Sequence, residues 1–106
     1  MIKKVAVLQS SYIPWKGYFD IISGVDEFII YDDVQYSKNG WRNRNIIKTK
    51  NGEQWMTIPI RHLSGGQKIN EIEISNFNWA EKHWKTIVLA YKKAPFFREV
   101  ADKLRP

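Results

Sequence analysis

The side chains of this sequence best suited to chemistry fall in two stretches. In the first, Gln9-Ser10-Ser11-Tyr12-Ile13-Pro14-Trp15-Lys16-Gly17-Tyr18-Phe19 sets Lys16 beside what reads as the start of a helix. Free backbone N–H groups and a cation at a helix N-terminus form a natural anion site. The glycine pattern of a Walker loop is absent, so the same residues read equally as a hydrophobic staple of Tyr12, Trp15 and Phe19. In the second, Asp32-Asp33 offers carboxylates that accept hydrogen bonds without donating, which suits Mg²⁺, ribose hydroxyls or general-base work. Adjacent aspartates also serve as plain strand-end turns. Beyond Gln35, the run Lys38-Asn39-Gly40-Trp41-Arg42-Asn43-Arg44-Asn45 surrounds an aromatic with cations and amides. Those types clamp phosphate and stack on bases or sugars. They also build the platforms of single-strand nucleic-acid binders, and a solvated loop tethered by Trp41 is the plain alternative.

The remaining candidates are weaker. His62 and His83 stand too far apart in sequence to read as a metal pair, so no metal ligand is assigned. His83, beside Trp84 near an apolar stripe, reads as a satisfied helix histidine. His62, before Gly65-Gly66, could belong to a mobile lid.

Elements must bring the two stretches together. Val5-Ala6-Val7-Leu8 is a nearly continuous apolar run, the pattern of a strand buried on both faces of a parallel sheet. Trp15, Phe19 and Ile22 recur at helical spacing up to Gly24, with Pro14 suited to a first turn. Phe28-Ile29-Ile30-Tyr31 then reads as a second strand, and strand, helix, strand in this span is a βαβ unit with a right-handed crossover. In open α/β sheets the crevice beyond the carboxyl ends of the strands is where ligands bind, and both polar stretches leave the chain there. Asn51-Gly52 is a hairpin signal joining Asn45–Thr49 to Gln54–Ile60, with Pro59 at an edge or strand end. Ile69, Ile72 and Ile74 suggest a further short strand. Asn78 with Glu81 three residues later reads as a capping-box start for a helix from Trp79 to about residue 93. Another helix restarts at Pro95, with Phe97, Val100, Ala101 and Leu104 on one face.

The whole chain is expected to be one α/β domain over 1–106, three-layered, with a mainly parallel sheet, a βαβ start, a hairpin and C-terminal helices. Five tryptophans, five tyrosines and five phenylalanines supply a core, each burying roughly 150–250 Å². There is no cysteine and hence no disulfide framework or thiolate metal site. The N-terminus lacks a signal-peptide pattern and no apolar run nears the length of a membrane span, which together point to a cytoplasmic protein. A net charge of +6 favours anionic partners. Part of it sits in Lys92-Lys93 and Lys103–Arg105, where cations ordinarily stabilise helix ends.

Several ordered segments resemble the WbqC-like protein family: Gln9 to Phe19, Asp32-Asp33-Val34-Gln35-Tyr36, Trp41 to Lys48, Asn51-Gly52 and Trp55-Met56-Thr57-Ile58-Pro59-Ile60. The resemblance spans most of residues 5–97. Members usually carry Gln-Pro where this chain has Gln9-Ser10, and they usually run to about twice this length, so the resemblance implies a truncated or split form. It also implies a setting in surface-polysaccharide or O-antigen biosynthesis, a context more than a reaction, in which a transferase is one enzyme class that would fit. A looser likeness, of fold only, links the opening strand and helix to the nucleotidyltransferase superfamily, with Trp15 and Tyr18 where that superfamily places two histidines. Without imidazole donors, ordinary nucleotidyl transfer is not expected.

The resulting expectation is a protein that binds a nucleotide, nucleotide sugar or similar activated anion for a transfer step. Gln9, Tyr12, Trp15 and Lys16 would line the phosphate end. Asp32 and Asp33 would be the catalytic, hydroxyl or metal position, and Gln35, Lys38, Trp41, Arg42, Asn43 and Arg44 the clamp. No cofactor is assigned, though Mg²⁺ is compatible with the aspartates. The alternatives are a non-catalytic nucleic-acid-binding module and an inactive fragment that acts by self-association.

Overall fold

β1 (Val5–Leu8) and β2 (Glu27–Ile30) pair in parallel, with Val5 opposite Glu27 and Leu8 opposite Ile30. They are joined through α1 (Lys16–Ser23), the expected βαβ connection. The computed structural model describes residues 2–61 and 65–105, so the expected lid at His62 lies outside the described residues. α1 ends where Gly24 donates its N–H to the Asp20 and Ile21 carbonyls. Its Tyr18 meets Phe28 edge-on at 5.6 Å between ring centroids, attaching the helix to the strand pair.

β3 (Arg44–Thr49) and β4 (Gly52–Thr57) form the antiparallel hairpin. Its turn lies one residue earlier than the Asn51-Gly52 signal suggests. Thr49 pairs with Gly52, leaving Lys50 and Asn51 at the tip. Gly52 has φ of 103°, a left-handed conformation that glycine adopts without a Cβ clash. The Thr49 hydroxyl donates to the Gly52 carbonyl and accepts from the Asn51 N–H, closing the turn. Register puts Asn45, Ile47 and Met56 on one face, and Arg44, Ile46 and Trp55 on the other. Ile47 and Met56 are the two buried hydrophobic residues among those described. α2 (Trp79–Tyr91) packs against β3, with the Tyr91 hydroxyl accepting from the Lys48 N–H.

The sheets differ from the expected three-layer, mainly parallel arrangement. Among the described residues each has two strands, one pair parallel and the other antiparallel. A continuous apolar run signals burial on both faces, but it says nothing of how many neighbouring strands supply that burial. The short strand expected around Ile69–Ile74 is instead a 3₁₀ turn at Ile69–Glu71 followed by a single bridge between Ile74 and Ile60. Pro59 falls beyond β4, where its missing N–H costs no ladder bond. Asn78 does precede α2, yet its side chain makes no cap. The Asn76 side chain accepts from the Asn78 N–H, and Asn78 itself is already helical. α3 (Phe97–Leu104) begins two residues after Pro95, because Phe96 takes the left-handed region at φ 65° and breaks the chain direction there. Among the described residues, no helix is long and apolar enough to cross a membrane.

Candidate functional site

Beyond the ends of the parallel strands the chain is held by side chains rather than by ladders. Asp32 takes the Ser10 N–H on one carboxylate oxygen at 2.9 Å and the Ser10 hydroxyl on the other, tying the exit of β1 to the exit of β2. This occupies both oxygens of Asp32, whereas Asp33 is exposed. The turn before α1 is fixed from the hairpin side. The Tyr12 N–H donates to the Trp41 carbonyl at 3.0 Å, and the Asn45 amide donates to the carbonyls of Tyr12 and Ile13 at 3.0 and 2.6 Å. Ile13 sits at φ 47°, a conformation costly for a β-branched residue, and the Asn45 contact helps to hold it.

Tyr12 is engaged by α2. Its hydroxyl lies 2.7 Å from His83 Nδ1, and its ring meets Trp79 edge-on at 6.0 Å. The other imidazole nitrogen of His83 lies 3.1 Å from the Thr57 carbonyl. A carbonyl only accepts, so Nε2 carries the proton and Nδ1 accepts from Tyr12. Burial pushes the Tyr12 hydroxyl above its ordinary pKa. Burial likewise pushes His83 below its ordinary value, against the opposing pull of the bond to Thr57. This pair joins the strand-to-helix turn, β4 and α2.

The two polar stretches therefore meet, but only some of the expected residues share a cavity. A cleft of about 360 Å³ at the carboxyl ends of β1 and β2 is lined by Gln9, Ser11, Trp15, Tyr18, Tyr31 and Arg42, with Val7, Leu8 and Ile21 at its apolar floor. The Tyr18 hydroxyl donates to the Gln9 carbonyl, fixing that wall. No ion pair engages Arg42 among the described residues. Gly17 lets the Trp15 indole fold back over α1: a Cβ there would lie 1.5 Å from the ring. Lys16, the first residue of α1, is exposed and is not among the lining residues of the cleft.

Arg44 belongs elsewhere. Its guanidinium lies 4.2 Å above the Trp55 ring and donates to the Asn39 carbonyl at 2.9 Å. Trp41 stacks on the same indole at 5.8 Å and 22° between planes. With Tyr36, Lys38, Asn39, Asn43, Thr57 and Ile60, Arg44 lines a second cleft of about 310 Å³. Asn43 is held structurally, its amide donating to the Ile58 carbonyl and accepting from the Tyr36 hydroxyl. Burial pushes the Tyr36 hydroxyl up, with Arg44 pulling the other way. Gln35 pairs with Lys68 in an isolated bridge and, with Lys38, lines a further cleft of about 430 Å³ near Gly65 and Gly66. Among the described residues no cluster of three or more His, Cys, Asp or Glu side chains is arranged to hold a metal ion.

Ser11, Tyr18 and Asn45 fall inside the stretches marked by the sequence but without an assigned ligand role, and Tyr31 and Trp55 fall outside the expected site, since each acts by the direction its side chain takes from a strand, helix or turn.

The chain is similar to "Uncharacterized protein Rv1507c" of Mycobacterium tuberculosis (strain ATCC 25618 / H37Rv), at 54% identity over 107 residues that take in 99% of this chain and 46% of that protein. It thus spans about half the length of that relative. No solved structure matches it. Residues 9–106 match the WbqC-like protein family as a whole, the span that carries both polar stretches and their tethers, and the chain belongs to that family.

Proposed function

We propose that the chain binds an activated anionic small molecule, a nucleotide or nucleotide sugar, in the cleft at the carboxyl ends of β1 and β2, for a transfer step in surface-polysaccharide synthesis. The observation that carries this reading is the position of Arg42. It faces the crevice where parallel α/β sheets hold ligands, together with Gln9, Ser11 and two aromatic faces, Trp15 and Tyr31. A guanidinium offers a planar fork suited to phosphate, and an indole or phenol beside it suits a sugar or base. Lys16 at the start of α1 adds positive potential from outside the lining. Asp32 is engaged by Ser10, and the exposed Asp33 carboxylate lies after β2; neither is among the lining residues of the cleft. The polysaccharide setting comes from the family resemblance, and the transfer step is the reading that an activated anionic ligand would suit.

Calorimetric titration with UDP-glucose, UDP, UMP and glucose 1-phosphate tests the reading. Saturable binding that weakens as phosphates are removed is expected. Heat indistinguishable from dilution for all four at millimolar concentration overturns it.

A second reading, nucleic-acid binding, is favoured by the stack of Trp41, Trp55 and Arg44 on the outward hairpin face, with both indoles about half exposed. An indole ladder ending in a cation is a platform for successive bases. Submicromolar, steeply salt-dependent quenching of tryptophan fluorescence by a short oligonucleotide, without a response to nucleotides, would put this reading first.

A further inference from the structure

The parallel pair is left bare where such pairs are ordinarily covered. Tyr18 of α1 meets Phe28, whose strand register places it on one face with Ala6 and Leu8. The opposite face carries Val5, Val7 and Ile29, which are 47, 49 and 46% exposed. Parallel sheets are stable with both faces packed, and an isolated two-stranded sheet is marginal in water. The rest of the molecule carries the same deficit. Its accessible surface is 8510 Å², against about 6200 Å² for a folded monomer of this mass. Its radius of gyration is 16.0 Å, where a compact chain of this length has about 13 Å. The excess surface, on the order of 2300 Å² on one chain, compares with about 800 Å² that each partner gives to an ordinary interface and falls in the range of a large obligate one.

We infer that the Val5, Val7 and Ile29 face is a docking surface, and that its occupant is polypeptide equivalent to the part of the Mycobacterium tuberculosis relative lying outside the match. That relative is more than twice as long as the matched segment, so it contains enough chain to supply a covering layer and further strands. A second copy of this chain is a poorer fit. Its own uncovered face would have to serve as the cover, leaving the β1 and β2 edges of both copies unpaired. Val7 also borders the cleft proposed to hold a ligand, but the inference concerns packing and is read by stability and association, so its failure is distinguishable from failure of ligand binding.

The test is a chimera in which this chain replaces the matched 107 residues of that relative, compared with the chain alone. Each is made with and without Val5→Lys and Ile29→Lys, two positions outside the cleft lining. In the chain alone the two lysines enter an exposed surface, and Tm should change by less than about 2 °C. In the chimera the same changes bury charge, and Tm should fall by roughly 10 °C or more. Sedimentation should find the chimera monomeric. Equal tolerance of the lysines in both proteins overturns the inference, as does a chimera that melts no more cooperatively than the chain alone. A homodimer of the isolated chain that the lysines dissociate overturns it too, in favour of a second copy.

Discussion

At the scale of single residues, Arg42 and Arg44 are two positions apart yet line separate clefts. Arg44 is tied to Asn39 and lies over Trp55, so Arg44→Ala should lower stability by roughly 1–2 kcal/mol, measured by chemical denaturation. Arg42→Ala removes no ion pair among the described residues and should leave stability nearly unchanged. Its expected cost is in ligand affinity, at least about tenfold for a phosphate-bearing ligand. The sequence shows both arginines in one basic run, where a shared clamp is a natural expectation. Strand β3 begins at Arg44, and its pairing turns that side chain onto the outward hairpin face, away from the cleft lined by Arg42. Gly17 offers a complementary probe. Alanine is the better helix former, by roughly 0.5–1 kcal/mol, but its Cβ would collide with the Trp15 ring. Trp15 is 68% exposed and can swing away, so Gly17→Ala should retain or raise Tm while weakening the ligand site. A loss of Tm with unchanged binding would show that Trp15 contributes to packing and not to the cleft.

At the scale of elements, the strand-to-helix turn is positioned by groups distant in sequence. Asn45→Ala removes donors to the Tyr12 and Ile13 carbonyls and should cost roughly 1–3 kcal/mol. Ile13→Gly relieves the left-handed strain of a β-branched residue and should offset part of that loss in the double variant. Equal stability of Asn45→Ala and the parent protein would show that the turn holds itself. The Tyr12–His83 link adds a dependence on pH. His83 is held below its ordinary value of 6.5, so in acid the unfolded chain takes up the proton more readily than the folded one. Its contribution is therefore complete above 6.5 and is lost as pH falls from there through the lower folded-state value. His83→Gln can keep a donor toward Thr57 and an acceptor for Tyr12 without titrating. Melting curves from pH 8 to 5 should show a smaller acid loss in the glutamine variant, and parallel losses would place the titrating group elsewhere. What was legible at this scale is what repeats: the apolar run of β1, the helical spacing of α1 and α2, and the turn residues near Asn51. The tethers were not, because Asp32 with Ser10, Asn45 with Ile13, and Tyr12 with His83 are single contacts with no period. Likewise Ile69, Ile72 and Ile74 carry strand-forming residue types, but the local bonds of Lys68 with Glu71 close a 3₁₀ turn instead.

At the scale of the whole molecule, a hairpin packed on α2 and a parallel pair with α1 are joined through the turn at Tyr12 and Ile13. The expected three-layer sheet presumed that every apolar run would find its cover within the chain, and composition cannot reveal that Val5, Val7 and Ile29 would not. The cleft proposed to hold a ligand lies where those parallel strands end, so the central claim concerns which residues sense a ligand. The direct measurement is amide chemical-shift mapping of the isotopically labelled chain during titration with UDP-glucose. The account predicts saturable shifts centred on Gln9, Ser11, Trp15, Tyr31 and Arg42, and their loss in Arg42→Ala. Shifts confined to Lys38, Arg44 and Trp55, or no shifts at millimolar ligand, would contradict it.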